Sequence, residues 1–137
     1  MPVERHQLER AARLMSATIL VLDAEEVVRS VITKILEREG YTVHATGDLP
    51  SAMDVVKTCT PDLLLTNLYI PGTSGHDAAQ FLRSMCPNMR VLIVAGLPDD
   101  RLVHDRTKGE GFAAFPKPFL PKQLTEKVKE VLNGNLE

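Results

Sequence analysis

The 137-residue sequence lacks tryptophan, and only 4% of it is aromatic. Its two cysteines, Cys59 and Cys86, form no C-x-x-C motif and have no histidine at a metal-ligand spacing. Such a pair is typical of ordinary thiols in a reducing cytoplasm, rather than of a disulfide framework or a zinc site. No apolar run approaches the roughly 18 residues of a membrane-spanning helix, and the charged first residues resemble no signal peptide. We therefore expect a cytoplasmic protein without a membrane partner.

The sequence also has no large excess of positive or negative charge, because its 16 lysines and arginines nearly balance its 18 aspartates and glutamates, for a net charge of −2. A chain without a basic excess has no field that would attract a phosphate backbone, which argues against nucleic acid as a direct partner. The hydrophobic content of 44% is ordinary for a globular protein, and the length suits one domain with a proper core.

What the sequence does contain is a regular alternation of short apolar runs and amphipathic segments. The runs predict strands at Thr18–Leu22, Tyr41–Ala45, Asp62–Thr66, Val91–Val94 and Ala113–Phe115. The amphipathic segments predict helices over about 25–39, 49–56, 75–85, 98–108 and 120–132. Strands and helices that alternate through short loops form a parallel sheet covered on both faces. The sequence thus predicts one α/β domain over residues 18–133.

The segment before this domain, residues 1–17, has Leu8, Ala11, Ala12 and Met15 at helical spacing. Two interpretations stay open: a linker helix, or a helix that docks on a partner or on a second copy. Residues 134–137 form a short tail.

Several common sites are missing. The first strand-to-helix turn contains no glycine, which excludes a dinucleotide fingerprint and a phosphate-cradling P-loop. Ser74 is predicted to cap a helix rather than to act as a nucleophile, because the G-x-S-x-G spacing is absent. The histidines have no metal-ligand spacing, and His76 is expected to be a solvated residue at a helix start.

Four residues lie just beyond the carboxyl ends of predicted strands, at the edge of the sheet where ligands gather. They are Asp23, Asn67, Ala95 and Lys117. An acid and a lysine that meet in one crevice form either a structural ion pair or a phosphate or metal site, and the spacing alone does not decide between them.

These residues lie in motifs that resemble the receiver domain of two-component response regulators. The resemblance covers about residues 17–133 and rests on Ile19–Asp23, Pro61–Leu65, Ile70–Gly75 and Lys117–Phe119. It implies a doubly wound (βα)5, flavodoxin-like fold with sheet order 2-1-3-4-5. It also implies a role in phosphorelay signalling.

In receivers an aspartate at the end of the third strand accepts a phosphoryl group from a histidine kinase, beside two acids that hold Mg²⁺. A hydroxyl residue after the fourth strand contacts the phosphoryl group, a lysine neutralises it, and an aromatic residue reports the switch. By this resemblance the chain keeps Asp23 as the first acid and Lys117 as the lysine. It departs from the pattern at four positions: Ala24, Asn67, Ala95 and Ala114.

The departures predict a pseudo-receiver that is not an enzyme and cannot be phosphorylated, because an amide is a much poorer nucleophile than a carboxylate. Asp23 is left as the one expected carboxylate ligand, so Mg²⁺ should bind weakly or not at all, and no other cofactor is expected. We also predict that Lys117 pairs with Asp23 and with the amide of Asn67. Tyr69 should overhang this crevice, where it either caps the site or meets a partner.

With that chemistry lost, binding is the use that remains. Expected partners are a histidine kinase, a phosphotransfer protein, an output protein or a second copy of the chain. Receivers commonly bind through the face of their fourth and fifth helices and fifth strand, which here would include Leu102, His104, Asp105, Gln123, Glu126 and Lys127. Two alternatives stay open: a phosphoacceptor receiver with an altered or mutated site, and a small-molecule binder that uses the crevice.

Overall fold

The structure is a computed structural model that describes residues 17–95 and 111–134. Within these residues the chain forms seven strands and four helices. The strands are β1 (Thr18–Leu22), β2 (Thr42–Thr46), β3 (Leu63–Asn67), β4 (Tyr69–Ile70), β5 (Thr73–Ser74), β6 (Arg90–Ala95) and β7 (Ala113–Pro116). The helices are α1 (Glu26–Arg38), α2 (Leu49–Thr58), α3 (Gly75–Met85) and α4 (Pro121–Leu132).

Five of the strands form one parallel sheet in the order β2-β1-β3-β6-β7. The predicted α/β class and strand order, 2-1-3-4-5 when only these five strands are counted, are therefore confirmed. The order reverses between β1 and β3, so the carboxyl ends of these two central strands and of β6 border one crevice.

Alternating side chains of the central strands feed two separate apolar layers. In β1, Ile19 and Val21 pack on the face covered by α1 and α4, whereas Leu20 and Leu22 pack on the face covered by α2 and α3. All four side chains are fully buried. Each buried leucine or isoleucine contributes about 1.5–3 kcal/mol to folding. A shift of β1 by one residue would move each of these side chains to the opposite face of the sheet, so their packing fixes the register of β1 and the position of Asp23, the residue that follows it.

Asp62 holds the opposite edge of the sheet. Its carboxylate accepts a hydrogen bond from the Thr18 amide at 2.8 Å, and its own amide donates to the Thr18 carbonyl at 2.8 Å. The Asp62 carbonyl also accepts from the Arg90 amide at 3.0 Å. One residue thereby aligns the starts of β1, β3 and β6, so that their far ends are aligned as well.

Helix caps explain why α2 and α3 begin where they do. Asp48 accepts a hydrogen bond from the Ser51 amide at 2.8 Å, and this bond lowers the pKa of the Asp48 carboxyl group. The Ser74 hydroxyl accepts from the Asp77 amide at 3.1 Å, which confirms the predicted N-cap.

The structure also corrects two expectations from apolar periodicity. The two-residue strands β4 and β5 pair as an antiparallel hairpin, where the sequence predicted only a turn. The last helix was predicted to begin at about residue 120, with the Leu120 side chain in the apolar repeat, but Leu120 precedes α4 as its N-cap residue and is 65% exposed. A residue that only precedes a helix does not follow the helical repeat, so its side chain is free to face solvent.

Some predictions lie outside the described residues. They are the extension 1–17 (apart from Ala17), the fourth predicted helix at 98–108, and residues 135–137 of the tail. The boundaries of the domain therefore stay a prediction. Among the helices that the structure describes, no segment has the length and apolar character needed to cross a membrane.

Candidate functional site

Asp23 lies directly after β1 and is only 2% exposed. Its backbone amide donates to the Thr46 carbonyl at 3.0 Å, which ties it to the end of β2. The carboxylate accepts a hydrogen bond from the Glu25 amide at 2.9 Å, at the start of α1. On the other side, Nη1 of Arg29 donates to the Asp23 carbonyl at 2.8 Å. The carboxylate is therefore held in a fixed position at the carboxyl edge of the sheet.

Asn67 is the last residue of β3 and is half-buried. Its side-chain nitrogen donates to the Tyr69 carbonyl at 3.0 Å, and its side-chain oxygen accepts from the Lys117 ammonium at 2.9 Å. Both ends of the amide are thus engaged. A carboxylate could not make the first of these two bonds, since it has no hydrogen to donate.

Lys117 follows β7, and its backbone amide donates to the Ala95 carbonyl at 2.9 Å. Its ammonium group lies 3.8 Å from the Asp23 carboxylate, with the lysine side chain 25% exposed. One cation thereby contacts both the acid after β1 and the amide at the end of β3. Both predicted contacts of Lys117 are present.

The other predicted crevice residues have less to contribute. Ala24 is exposed, whereas Ala95 and Ala114 are half-buried, and none of the three has a polar side-chain atom. Tyr69 is 68% exposed, and it is the backbone carbonyl that joins the crevice network. An aromatic ring with this exposure is available to solvent or to a partner.

The start of α3 packs directly against the end of β3. The Gly75 amide donates to the Leu68 carbonyl at 2.6 Å, and a Cβ atom at Gly75 would overlap the carbonyl oxygen of Asn67. This close approach buries the first residues of α3. His76 is accordingly 2% exposed, so the expectation that it is solvated was wrong.

The expected partner face is described only in part, since Leu102, His104 and Asp105 lie outside the described residues. On α4, Gln123 is exposed and its side-chain oxygen accepts from the Leu120 amide at 2.8 Å. Glu126 is exposed as well, and Lys127 lies 3.8 Å from Glu130. These three side chains line a shallow groove between α4 and the pair Phe115 and Phe119. The groove has a volume of about 310 Å³.

Three features of the site escaped the sequence analysis. The Tyr69 carbonyl is a backbone group whose position depends on the β4–β5 hairpin, and the Arg29 contact depends on the rotation of α1. Gly75 did carry a signal, because a glycine at a helix start within a Pro/Gly turn suggests close backbone contact.

As a chemical site, the crevice combines one buried carboxylate, one ammonium group and one amide. The carboxylate and the ammonium group balance in charge. Within residues 17–95 and 111–134, no cluster of three or more histidine, cysteine, aspartate or glutamate side chains is placed to hold a metal ion. The arrangement is suited to holding three strand ends together.

Comparisons with known proteins identify the family. The response regulator receiver domain family matches residues 19–129. The chain is 25% identical over 119 residues to sporulation initiation phosphotransferase F of Bacillus subtilis (strain 168), and the match covers 87% of this chain and 96% of that protein. It is 30% identical over 129 residues to sensor kinase CckA of Brucella abortus (strain 2308), covering 92% of this chain but only 14% of the kinase.

Solved structures agree on the fold. A response regulator receiver domain protein from Clostridium thermocellum superimposes with a TM-score of 0.77 at 24% identity. The alignment covers 86% of this chain and 95% of that one. Three findings agree: the strand order of the sheet, the acid and lysine at its carboxyl edge, and the family match over most of the chain. The chain belongs to the response regulator receiver domain family.

Proposed function

We propose that this receiver domain signals through protein–protein contacts without being phosphorylated. The observation that carries the proposal is the 2.9 Å hydrogen bond from the Lys117 ammonium to the side-chain oxygen of Asn67. In a receiver that accepts a phosphoryl group, an aspartate is expected at the end of the third strand. Here an amide holds that position, and the lysine is already bound to it.

The reaction would fail at its first step. An aspartyl phosphate forms when a carboxylate oxygen attacks phosphorus, and the neutral amide of Asn67 is a poor nucleophile. Its nitrogen is also engaged by the Tyr69 carbonyl at 3.0 Å. Ala95, the last residue of β6, has no hydroxyl group to donate to a phosphoryl oxygen. The domain is therefore proposed to have no enzymatic activity of its own.

The donor set does not fit Mg²⁺, the cofactor that the family implies. A hard cation in such sites needs carboxylate oxygens and water. Ala24 offers no ligand, and the Asn67 oxygen already accepts a hydrogen bond from Lys117. The remaining carboxylate, Asp23, faces the same ammonium at 3.8 Å. We propose that the crevice uses Lys117 as its cation and requires no metal or other cofactor.

The proposed partners are the protein classes of a phosphorelay: a histidine kinase, a phosphotransfer protein, an output protein or a second copy of this chain. Similarity to a sensor kinase and to a phosphotransferase supports this setting. The near-neutral charge supports neither a nucleic-acid partner nor a membrane surface. We place this activity in the cytoplasm, where these partners work.

The first test is direct phosphorylation. After incubation with acetyl phosphate and Mg²⁺, intact mass spectrometry is expected to show no phosphoryl adduct, because no carboxylate is present at the end of β3. Beryllofluoride with Mg²⁺ is likewise expected to leave the amide NMR spectrum unchanged. A receiver domain that retains the aspartate serves as the positive control. A stoichiometric adduct on a crevice residue would favour the alternative of a working phosphoacceptor and refute the proposal.

The second test restores the missing carboxylates. Asn67→Asp alone is expected to restore little Mg²⁺ affinity, because Ala24 still offers no ligand, the new carboxylate would lie beside the Lys117 ammonium, and the bond to the Tyr69 carbonyl is lost. The double variant, Asn67→Asp with Ala24→Asp, should bind Mg²⁺ at least about tenfold more tightly than the single Asn67→Asp variant, a difference of about 1.4 kcal/mol in binding free energy. Isothermal titration calorimetry measures both affinities. Ala24→Asp alone is the matched control. Equal affinity of the single Asn67→Asp and the double variant would show that Ala24 has no part in the loss.

A further inference from the structure

The two cysteines end neighbouring helices on the same face of the sheet. Cys59 is the C-cap residue of α2, with its amide donating to the Val55 carbonyl at 2.9 Å. Cys86 is the C-cap residue of α3, with its amide donating to the Leu82 carbonyl at 3.0 Å. Both helices run antiparallel to the strands that they cover, so both thiols lie at the edge of the sheet opposite the crevice.

Packing draws these two helix ends together. Ala52 and Val56 of α2 share one apolar cluster with Leu82 and Cys86 of α3. The thiol of Cys86 also contacts the Pro61 carbonyl at 3.7 Å, and Pro61 is only two residues beyond Cys59. The chain two residues after Cys59 therefore contacts the Cys86 sulfur.

The two thiols differ in exposure, and the pKa of one of them, Cys86, is raised. Cys86 is 7% exposed, whereas Cys59 is half-buried. Burial raises the pKa of the Cys86 thiol, a backbone hydrogen bond from Met89 partly offsets this rise, and the nearby charges of Asp62 and Cys59 add to it. The influence of Cys59 on Cys86 agrees with the packing that brings the ends of α2 and α3 together. Cys59 is thus the thiol that a reagent reaches first.

We propose that Cys59 and Cys86 form an oxidisable pair that a disulfide oxidant, such as oxidised glutathione, converts to an intramolecular disulfide. The inference is independent of the proposed signalling function. It also differs from the sequence-based expectation of two unrelated thiols, because that expectation had no information on which helix ends meet.

The reaction balances in two exchange steps. The Cys59 thiolate attacks one sulfur of oxidised glutathione, which forms a mixed disulfide and releases one glutathione thiolate. The Cys86 thiolate then attacks the Cys59 sulfur and displaces the second glutathione thiolate. The protein loses two electrons and two protons, and one molecule of oxidised glutathione becomes two of the reduced form. Because thiolates are the reactive species, the second step should speed up as pH rises.

The disulfide would enclose the chain from Cys59 to Cys86, which contains β3, the β4–β5 hairpin and α3. This loop includes Asn67 and Gly75, so oxidation would restrain the segment that forms one side of the crevice. A cross-link that closes a loop raises stability mainly by restricting the unfolded chain. Oxidation is therefore expected to raise the midpoint of thermal unfolding.

The test treats the folded protein with oxidised glutathione and follows intact mass. The wild-type chain is expected to end as a monomer that lacks two hydrogen atoms, carries no glutathione, and resists maleimide labelling until a reductant is added. Peptide mapping should join the peptides of Cys59 and Cys86. Closure of the mixed disulfide should be faster at pH 8.5 than at pH 7.

Two variants serve as controls. Cys86→Ala is expected to stop at a mixed disulfide on Cys59, and Cys59→Ser should react slowly because the remaining thiol is buried. Circular dichroism establishes whether each variant is folded. If Cys86→Ala does not fold, the comparison of the wild-type protein with Cys59→Ser still tests the proposal. Persistence of the glutathione adduct on the wild-type protein, or formation of intermolecular dimers, would overturn the proposal.

Discussion

Replacing Gly75 by alanine is expected to lower the free energy of unfolding by about 2–3 kcal/mol, toward the upper end of the cost of overpacking. The new methyl group would overlap the Asn67 carbonyl oxygen and lie 3.1 Å from the Leu68 Cα atom. Both neighbours are backbone, so no side-chain rotation can relieve the contact. Either α3 or the end of β3 would have to shift.

The same substitution should disturb the crevice, because the carbonyl it displaces belongs to the residue whose amide binds Lys117. Urea unfolding monitored by circular dichroism measures the stability, and the amide NMR signals around Asn67 report the shift. The matched control is Gly47→Ala, whose methyl group would meet Nη1 of Arg29 at 2.7 Å. Nη1 is the end of a flexible side chain that can move aside, and moving it breaks its hydrogen bond to the Asp23 carbonyl. The loss in free energy of unfolding should therefore stay at about 1 kcal/mol, the value for one hydrogen bond. Equal effects of the two substitutions would contradict the argument.

The fold was largely predictable because the core obeys simple periodicity. The strand Thr18–Leu22 and the helix Gly75–Met85 have the predicted bounds, since an apolar run of strand length and an amphipathic repeat each ended at a clear turn or cap signal. The β4–β5 hairpin was missed because each of its strands contributes only two residues. A stretch this short shows no alternation from which a strand could be inferred.

The site was predictable where topology alone brings residues together. Parallel strands end at the same edge, so the sequence alone places Asp23, Asn67 and Lys117 in one crevice. The burial of His76 could not be predicted in that way. It results from the tight contact of Gly75 with β3, which is a matter of helix placement rather than of periodicity.

Lys117→Met is expected to lower the free energy of unfolding by about 2 kcal/mol. The substitution keeps the length of the side chain but removes the cation from the Asp23 carboxylate, whose side chain is 3% exposed, and from the Asn67 oxygen at 2.9 Å. Removing one partner of a fully buried pair costs about 3–5 kcal/mol. The expected loss is smaller, since Lys117 is 25% exposed and its ammonium lies 3.8 Å from Asp23.

A comparison with Lys129 shows whether burial or distance decides how much an ion pair stabilises the protein. Lys129 of α4 lies 3.4 Å from Glu39, closer than Lys117 lies to Asp23, but its side chain is 57% exposed. Exposed pairs contribute about 0–1 kcal/mol, so Lys129→Met should cost less than Lys117→Met despite the shorter distance. Urea unfolding of both variants at one pH and ionic strength provides the comparison.

A double-mutant cycle then isolates the contact between Lys117 and Asp23. Asp23→Asn keeps an oxygen that accepts from the Glu25 amide, so it removes the charge and little else. If the ion pair stabilises the crevice, the double variant should lose less stability than the sum of the single variants, by about 1 kcal/mol. An interaction energy of zero, or a gain in stability from Asp23→Asn alone, would mean that Lys117 holds the strand ends together through the Asn67 amide and not through the charge of Asp23. The amide that replaced the expected phosphoacceptor would then be the group that fixes this edge of the sheet.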